Sequence, residues 1–175
     1  TTQGMDIEIQ FISPEIVRVV KAPEGRSFTK KSLSVVKSPE SMSVTTEKKG
    51  ETVSLKSNAV RVDFNVETGR ISFFDKQGKA LFTEKDYGAQ FTPFNDAGNQ
   101  TFSVCQAFLL DKDEAIYGLG QQQVDDLNQR NHKHFMRQRA LHASVPIIQS
   151  TKGYGMFWDN YSPTTYTDNP QEMSF

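Results

Sequence analysis

Apolar and polar residues alternate along most of this chain. Ile7, Ile9 and Phe11 are interleaved with Asp6, Glu8 and Gln10, and Val17 and Val19 flank Arg18. Val60, Val62, Phe64 and Val66 point one way while Arg61, Asp63, Asn65 and Glu67 point the other. A period of two is that of a strand with one face in a core and one in water. It suits antiparallel sheets, because the strands of a parallel α/β sheet read as continuous apolar runs. Turn chemistry falls between the runs. Lys48-Lys49-Gly50-Glu51 separates Ser43–Glu47 from Thr52–Lys56, and Glu67-Thr68-Gly69-Arg70 separates Val60–Val66 from Ile71–Phe74. Asp75-Lys76-Gln77-Gly78-Lys79 then precedes Ala80–Thr83. Each places glycine where a hairpin needs positive φ, so these segments predict a meander. Ser13-Pro14 and Ala22-Pro23-Glu24-Gly25 break the first strands in the same manner.

No window carries an apolar stripe at helical spacing, and only Val124–Asn131 is a candidate for a short turn of helix. Glu84–Gln100, with Gly88, Pro93, Asp96, Gly98 and Asn99, reads as irregular and loop-rich. Many short strands with closely spaced turns give an all-β fold, an antiparallel β-sandwich. With no internal repeat or linker, residues 1–175 are expected to form a single domain. The last residues, Asn169-Pro170-Gln171-Glu172-Met173-Ser174-Phe175, carry neither a helix cap nor a charged tail, so the chain is expected to continue in a longer one.

Composition narrows the function classes. A net charge of -1 provides no global field to attract nucleic acid or an acidic membrane. No apolar run approaches the length of a membrane span. The single cysteine, Cys105, forms no intrachain disulfide and is expected to pack as a small hydrophobe among Phe102, Val104, Ala107 and Phe108.

The candidate chemical motifs each have a plain structural reading. Gly118-Leu119-Gly120-Gln121 follows the strand-like Ala115-Ile116-Tyr117, but it lacks the third glycine and the following helix of a phosphate loop. A tight backbone path at a strand end is expected instead. His132 and His134 would share one face of a strand, yet a zinc site needs three or four ligands and the only other histidine is His142. No metal and no cofactor are expected. From Leu127 to Trp158 there is no Asp or Glu, while Arg130, Lys133, Arg137, Arg139 and Lys152 fall in the stretch. This is either a solvated basic edge or an arm that meets an acidic surface. Asp111, Asp113 and Glu114, like Asp125 and Asp126, read as solvated turns, since no apolar setting separates their pKa values for acid–base work. Gly153–Asn160 holds Tyr154, Phe157 and Trp158. Its pattern favours core packing, with a sugar-stacking wall as the alternative.

Two of these segments carry a family resemblance. Glu114–Gln121 resembles the YGLGE/Q signature of the N-terminal domain of family 31 glycoside hydrolases, the α-glucosidases and α-xylosidases. Val145–Asn160 resembles that family's IPFxxSxxGYGxxxDN run, in matching order and spacing. Ile9-Gln10-Phe11 through Ile16-Val17-Arg18-Val19 is similar to its first strands. The resemblance implies a galactose-mutarotase-like sandwich that precedes a (β/α)8 catalytic barrel of the same polypeptide. It also implies a retaining mechanism on α-linked oligosaccharides, with two barrel carboxyls about 5–5.5 Å apart. Neither carboxyl belongs to this chain, so no catalytic residue is expected here.

In such enzymes a loop between the two motifs helps to shape the sugar pocket, and here it would fall within Asn131–Ser144. Gln138 and Arg139 are the substrate-binding candidates, for sugar or cross-domain contact. Arg offers a fork of donors, and Gln both donates and accepts, as hydroxyl recognition requires. An apolar patch is expected where the barrel would dock. A free-standing carbohydrate-binding sandwich and an adhesion-type sandwich with a basic edge are the competing readings. By association the resemblance leans toward a periplasmic or secreted enzyme.

Overall fold

The structure is a computed structural model and describes residues 1–29 and 31–175. Among the described residues, fourteen strands run β1 Met5–Ser13, β2 Ile16–Pro23, β3 Thr45–Lys49, β4 Thr52–Lys56, β5 Val60–Asn65, β6 Ile71–Asp75 and β7 Ala80–Asp96. They continue as β8 Asn99–Leu109, β9 Ile116–Gln121, β10 Lys133–Met136, β11 Ala143–Ser150, β12 Gly155–Phe157, β13 Thr164–Asp168 and β14 Met173–Ser174. Nine of them form one antiparallel sheet in the order β10-β13-β14-β8-β7-β6-β5-β4-β3. Two smaller sheets, β1-β2 and β12-β11-β9, complete the sandwich.

The meander predicted from the turn residues is β3 through β7, each strand paired with the next. Its register puts Leu55 opposite Val62, Val62 opposite Phe73 and Phe73 opposite Phe82, a row of apolar side chains on one face. Both small sheets cover that face. Ile7, Ile9, Phe11, Val17 and Val19 of β1-β2 pack on Leu55, Val62, Ile71 and Phe73. Ile116, Leu119, Ile148 and Met156 of β9, β11 and β12 pack on Phe73, Phe82, Phe108, Met136, Tyr166, Met173 and Phe175. Phe73 belongs to both clusters and joins them. Val62, Ile71, Ile116, Leu119 and Ile148 are fully buried. Each such side chain contributes about 1.5–3 kcal/mol of transfer free energy.

Two expectations are corrected. Glu84–Gln100 is not an irregular loop but most of a long hairpin, in which β7 and β8 pair from Gln90↔Cys105 out to Asp96↔Asn99. The residues that looked like loop punctuation are its turn: Ala97 and Gly98 take φ 48° and 96°, and the Gly98 N–H donates to Asn95 Oδ1 at 2.7 Å. Pro93 fits because β6 pairs with β7 only as far as Thr83, which leaves Pro93 on an edge that asks no donor of it. Val124–Asn131 contains no helix; it is a non-helical connection held by side-chain bonds such as Asn128 Oδ1 accepting from the Ile116 N–H.

Candidate functional site

The candidate loop is positioned by β9 and β11. Gly118, Leu119 and Gly120 all take positive φ, 119°, 63° and 78°. In the pairing of β9 with β11, Gly118 lies opposite Ile148 and Gly120 opposite Ser144. A Cβ on Gly118 would sit 2.3 Å from the Ile147 carbonyl oxygen, and one on Gly120 would sit 2.0 Å from that of Ala143. The two glycines therefore let β9 press against the β11 backbone, the tight path expected from their spacing. Leu119 between them points inward and is fully buried.

Residues 137–142 connect β10, in the large sheet, to β11 in the small one. Met136 anchors the near end in the core. Gln138 donates through Nε2 to the Ser144 carbonyl at 2.9 Å and accepts the Ser144 N–H at Oε1, 3.2 Å away. Ser144 Oγ donates to the Arg137 carbonyl at 3.2 Å. Arg139 and His142 form an isolated antiparallel bridge, with Arg139 Nη2 3.0 Å from His142 Nε2. Leu141, at the turn, takes φ 67° and is 73% exposed. Both predicted residues, Gln138 and Arg139, thus lie exposed on one short tied-down loop. The pattern gave no reason to single out Leu141, although it is the one large apolar side chain in residues 137–142.

The basic stretch divides in two. Arg130 Nε pairs with Asp168 Oδ2 at 2.9 Å and Lys152 Nζ with Asp111 Oδ2 at 2.9 Å. Arg137 stacks over Phe135, 5.5 Å from the ring centre. Among the described residues, Lys133 at the start of β10 and Arg137 and Arg139 in the loop make no ion pair, so the unpaired cationic charge runs from β10 into the loop.

Glu114 corrects the reading of its cluster as solvated turns. Asp111 and Asp113 are exposed, but Glu114 is only 5% exposed. Its carboxylate accepts the Ser150 hydroxyl, the Tyr154 hydroxyl and the Asp111 N–H. Burial, then the bond to Glu114, push the Tyr154 phenol above its ordinary value. Arg130 bonds the Asp111 and Glu114 carbonyls, binding the same turn to Asp168. Partners 36 and 40 residues away are invisible to local pattern. The predicted histidine pair is stacked, rings 5.7 Å apart. His134 Nε2 lies 2.7 Å from Gln129 Oε1, and burial, then the neighbouring His132, lower its pKa. Asp126 lies 3.7 Å from His132, but among the described residues no three such side chains converge closely enough to hold a metal ion. Tyr154 and Trp158 pack against the core, as the pattern of Gly153–Asn160 favoured.

The outer face of the β12-β11-β9 sheet is apolar and open. Tyr117, Val145 and Ile147 are 41%, 42% and 42% exposed. Pairing sets Ile147 opposite Phe157 and Tyr117 opposite Gln149, which places all of them on the face away from the buried Ile148. The unbroken apolar run Val145-Pro146-Ile147-Ile148 was the available signal, since such a run marks a strand covered on both faces. This face continues directly from the loop, because β11 begins where residues 137–142 end.

Comparison with known proteins identifies this arrangement. The family described as glycosyl hydrolase 31 N-terminal galactose mutarotase-like domain matches residues 6–166. The chain belongs to that family. An alpha-xylosidase of Saccharolobus solfataricus is 31% identical over 169 residues, covering 91% of this chain and 23% of that relative. The crystal structure of a family 31 alpha-xylosidase from Xanthomonas citri superposes with a TM-score of 0.90 at 32% identity, covering 95% of this chain and 18% of that one. A family 31 alpha-xylosidase from a soil metagenome, solved with xylose, shares the fold with a TM-score of 0.84 at 24% identity, over 100% of this chain and 28% of that one. This family 31 domain therefore spans less than a third of the length of each of these relatives.

Proposed function

We propose that residues 1–175 are one domain, the non-catalytic N-terminal sandwich of a retaining α-glycoside hydrolase of the α-glucosidase or α-xylosidase type. It packs on a (β/α)8 catalytic barrel of the same polypeptide and lends the loop within Asn131–Ser144 to the pocket for an α-linked oligosaccharide. The observation that carries this is the open apolar face of Tyr117, Val145, Ile147 and Phe157, continuous with a fastened cationic loop. An apolar sheet face left in water is unfavourable unless another body covers it. Gln138 and Arg139 are the loop residues on which sugar or cross-domain contact depends. Two relatives above 30% identity are named alpha-xylosidases, which favours an α-xyloside substrate.

The test compares the full-length polypeptide with the 175-residue chain on aryl α-xylosides and aryl α-glucosides. The reading expects turnover only from the full-length protein, and full-length Ile147→Asp should unfold at lower temperature. Turnover by the short chain, or oligosaccharide binding by it as tight as by the full-length protein, would overturn the reading.

A further inference from the structure

We infer that Gln138 is a positioning residue that holds Leu141 at the tip of the pocket loop, an inference that rests on the reading of the preceding section. The Ser144 N–H and C=O both point to the edge of β11 that β12, which pairs only with Ile147–Gln149, leaves open. The Gln138 amide occupies that edge as a strand residue would, donating to the carbonyl and accepting from the N–H. Ser144 Oγ, bonded to the Arg137 carbonyl, closes the same clasp from the other side.

What the clasp holds is conformationally costly. Leu141 sits in the left-handed region at φ 67°, with its side chain mostly in water. A non-glycine residue there costs on the order of 1–3 kcal/mol and persists only where its surroundings over-determine it. Here those surroundings are the clasp and the Arg139–His142 bridge, in which the His142 N–H donates to the Arg139 carbonyl at 3.1 Å. An exposed leucine in such a turn contributes nothing to this domain's core. It is placed to offer an apolar contact to the C–H face of a pyranose ring, beside the polar contact of Arg139. Fixing the loop beforehand spares the ordering cost when substrate binds.

The experiment uses the full-length polypeptide with Gln138→Met, which keeps the stem and removes both hydrogen-bonding groups, with Leu141→Ala, and with the double variant. Hydrogen exchange reports the Ser144 amide, and kcat and KM are measured with an aryl α-xyloside. Gln138→Met should lose Ser144 protection and reduce kcat/KM by about tenfold to a hundredfold, mainly through KM. Leu141→Ala should reduce it to a similar extent with protection intact, and the double variant should be no worse than the worse single one. Unchanged Ser144 protection in Gln138→Met would overturn the clasp. Losses that multiply in the double variant would overturn its action through Leu141, leaving Gln138 as a direct contact. Lost protection with wild-type kinetics in all three variants would overturn the pocket role of the loop itself.

Discussion

Lys21 on β2 reaches across the sandwich to Glu84 on β7, with Nζ 2.7 Å from both carboxylate oxygens. The side chains are 6% and 5% exposed, so the pair is buried between the layers. Glu84 Oε2 also accepts the Ile71 N–H at 2.9 Å, which ties β6 to the same charge. Burial lowers Lys21 and raises Glu84, and their mutual attraction opposes both shifts. The register of β7 against β8 shifts between Glu84 and Ala89, and Gly88 in that bulge lies over the pair. A Cβ there would be 3.0 Å from Lys21 Nζ, at φ 53°.

Removing one charge should therefore cost more than removing both. Lys21→Met leaves a buried carboxylate unpaired and is expected to destabilise by about 3–5 kcal/mol. Lys21→Met with Glu84→Gln keeps an acceptor for the Ile71 N–H and should recover most of the loss. Urea unfolding of the two variants against the parent checks this ordering.

Gly120 and Gly50 separate steric overlap from backbone strain. Both have positive φ, but a Cβ on Gly50 meets nothing within 4 Å. Gly50→Ala should cost only the left-handed backbone term, about 1–2 kcal/mol. Gly120→Ala adds a clash with the Ala143 carbonyl, a further loss of about 1–3 kcal/mol, and should also loosen the start of β11. Thermal melts give the difference, and hydrogen exchange at Ser144 locates it.

Acid should weaken the contact of β10 with β13. His134 is held below its ordinary value of 6.5 by burial, so the unfolded chain takes up the proton first. The stabilisation is complete above that value and is lost as pH falls from it toward the lower folded pKa. His134→Gln retains a donor to Gln129 Oε1 and should flatten the decline in melting temperature between about pH 7 and pH 5.

At the alkaline end the sign reverses. The Tyr154 phenol is raised above 10.0, so its contribution is complete below that pH and is lost as pH climbs through the folded pKa. Tyr154→Phe should cost about 1.5–3 kcal/mol at pH 7, as a hydrogen bond to a charged group. It should also remove this group's share of the alkaline decline, read from denaturation midpoints at neutral pH and above pH 10.

The alternation of Val60–Val66 and the glycine turns at Gly50, Gly69 and Gly78 determined the meander β3–β7. Strand periodicity and positive φ are properties of adjacent residues. The same locality misled at Glu84–Gln100. There Pro93, Gly88 and Gly98 suit a free edge, a bulge and a hairpin turn as well as they suit a loop, and only pairing with β8 selects among these. Gly118 and Gly120 were legible as a tight path, and the motif that contains them, with Val145–Asn160, carried the family resemblance. Which carbonyls they approach was decided by β11, some 25 residues later. The tertiary structure alone buried Glu114, paired Lys21 with Glu84 and divided the basic stretch. A charge's environment and a polar group's partner are set by residues far away in the chain, and the local pattern holds no record of them.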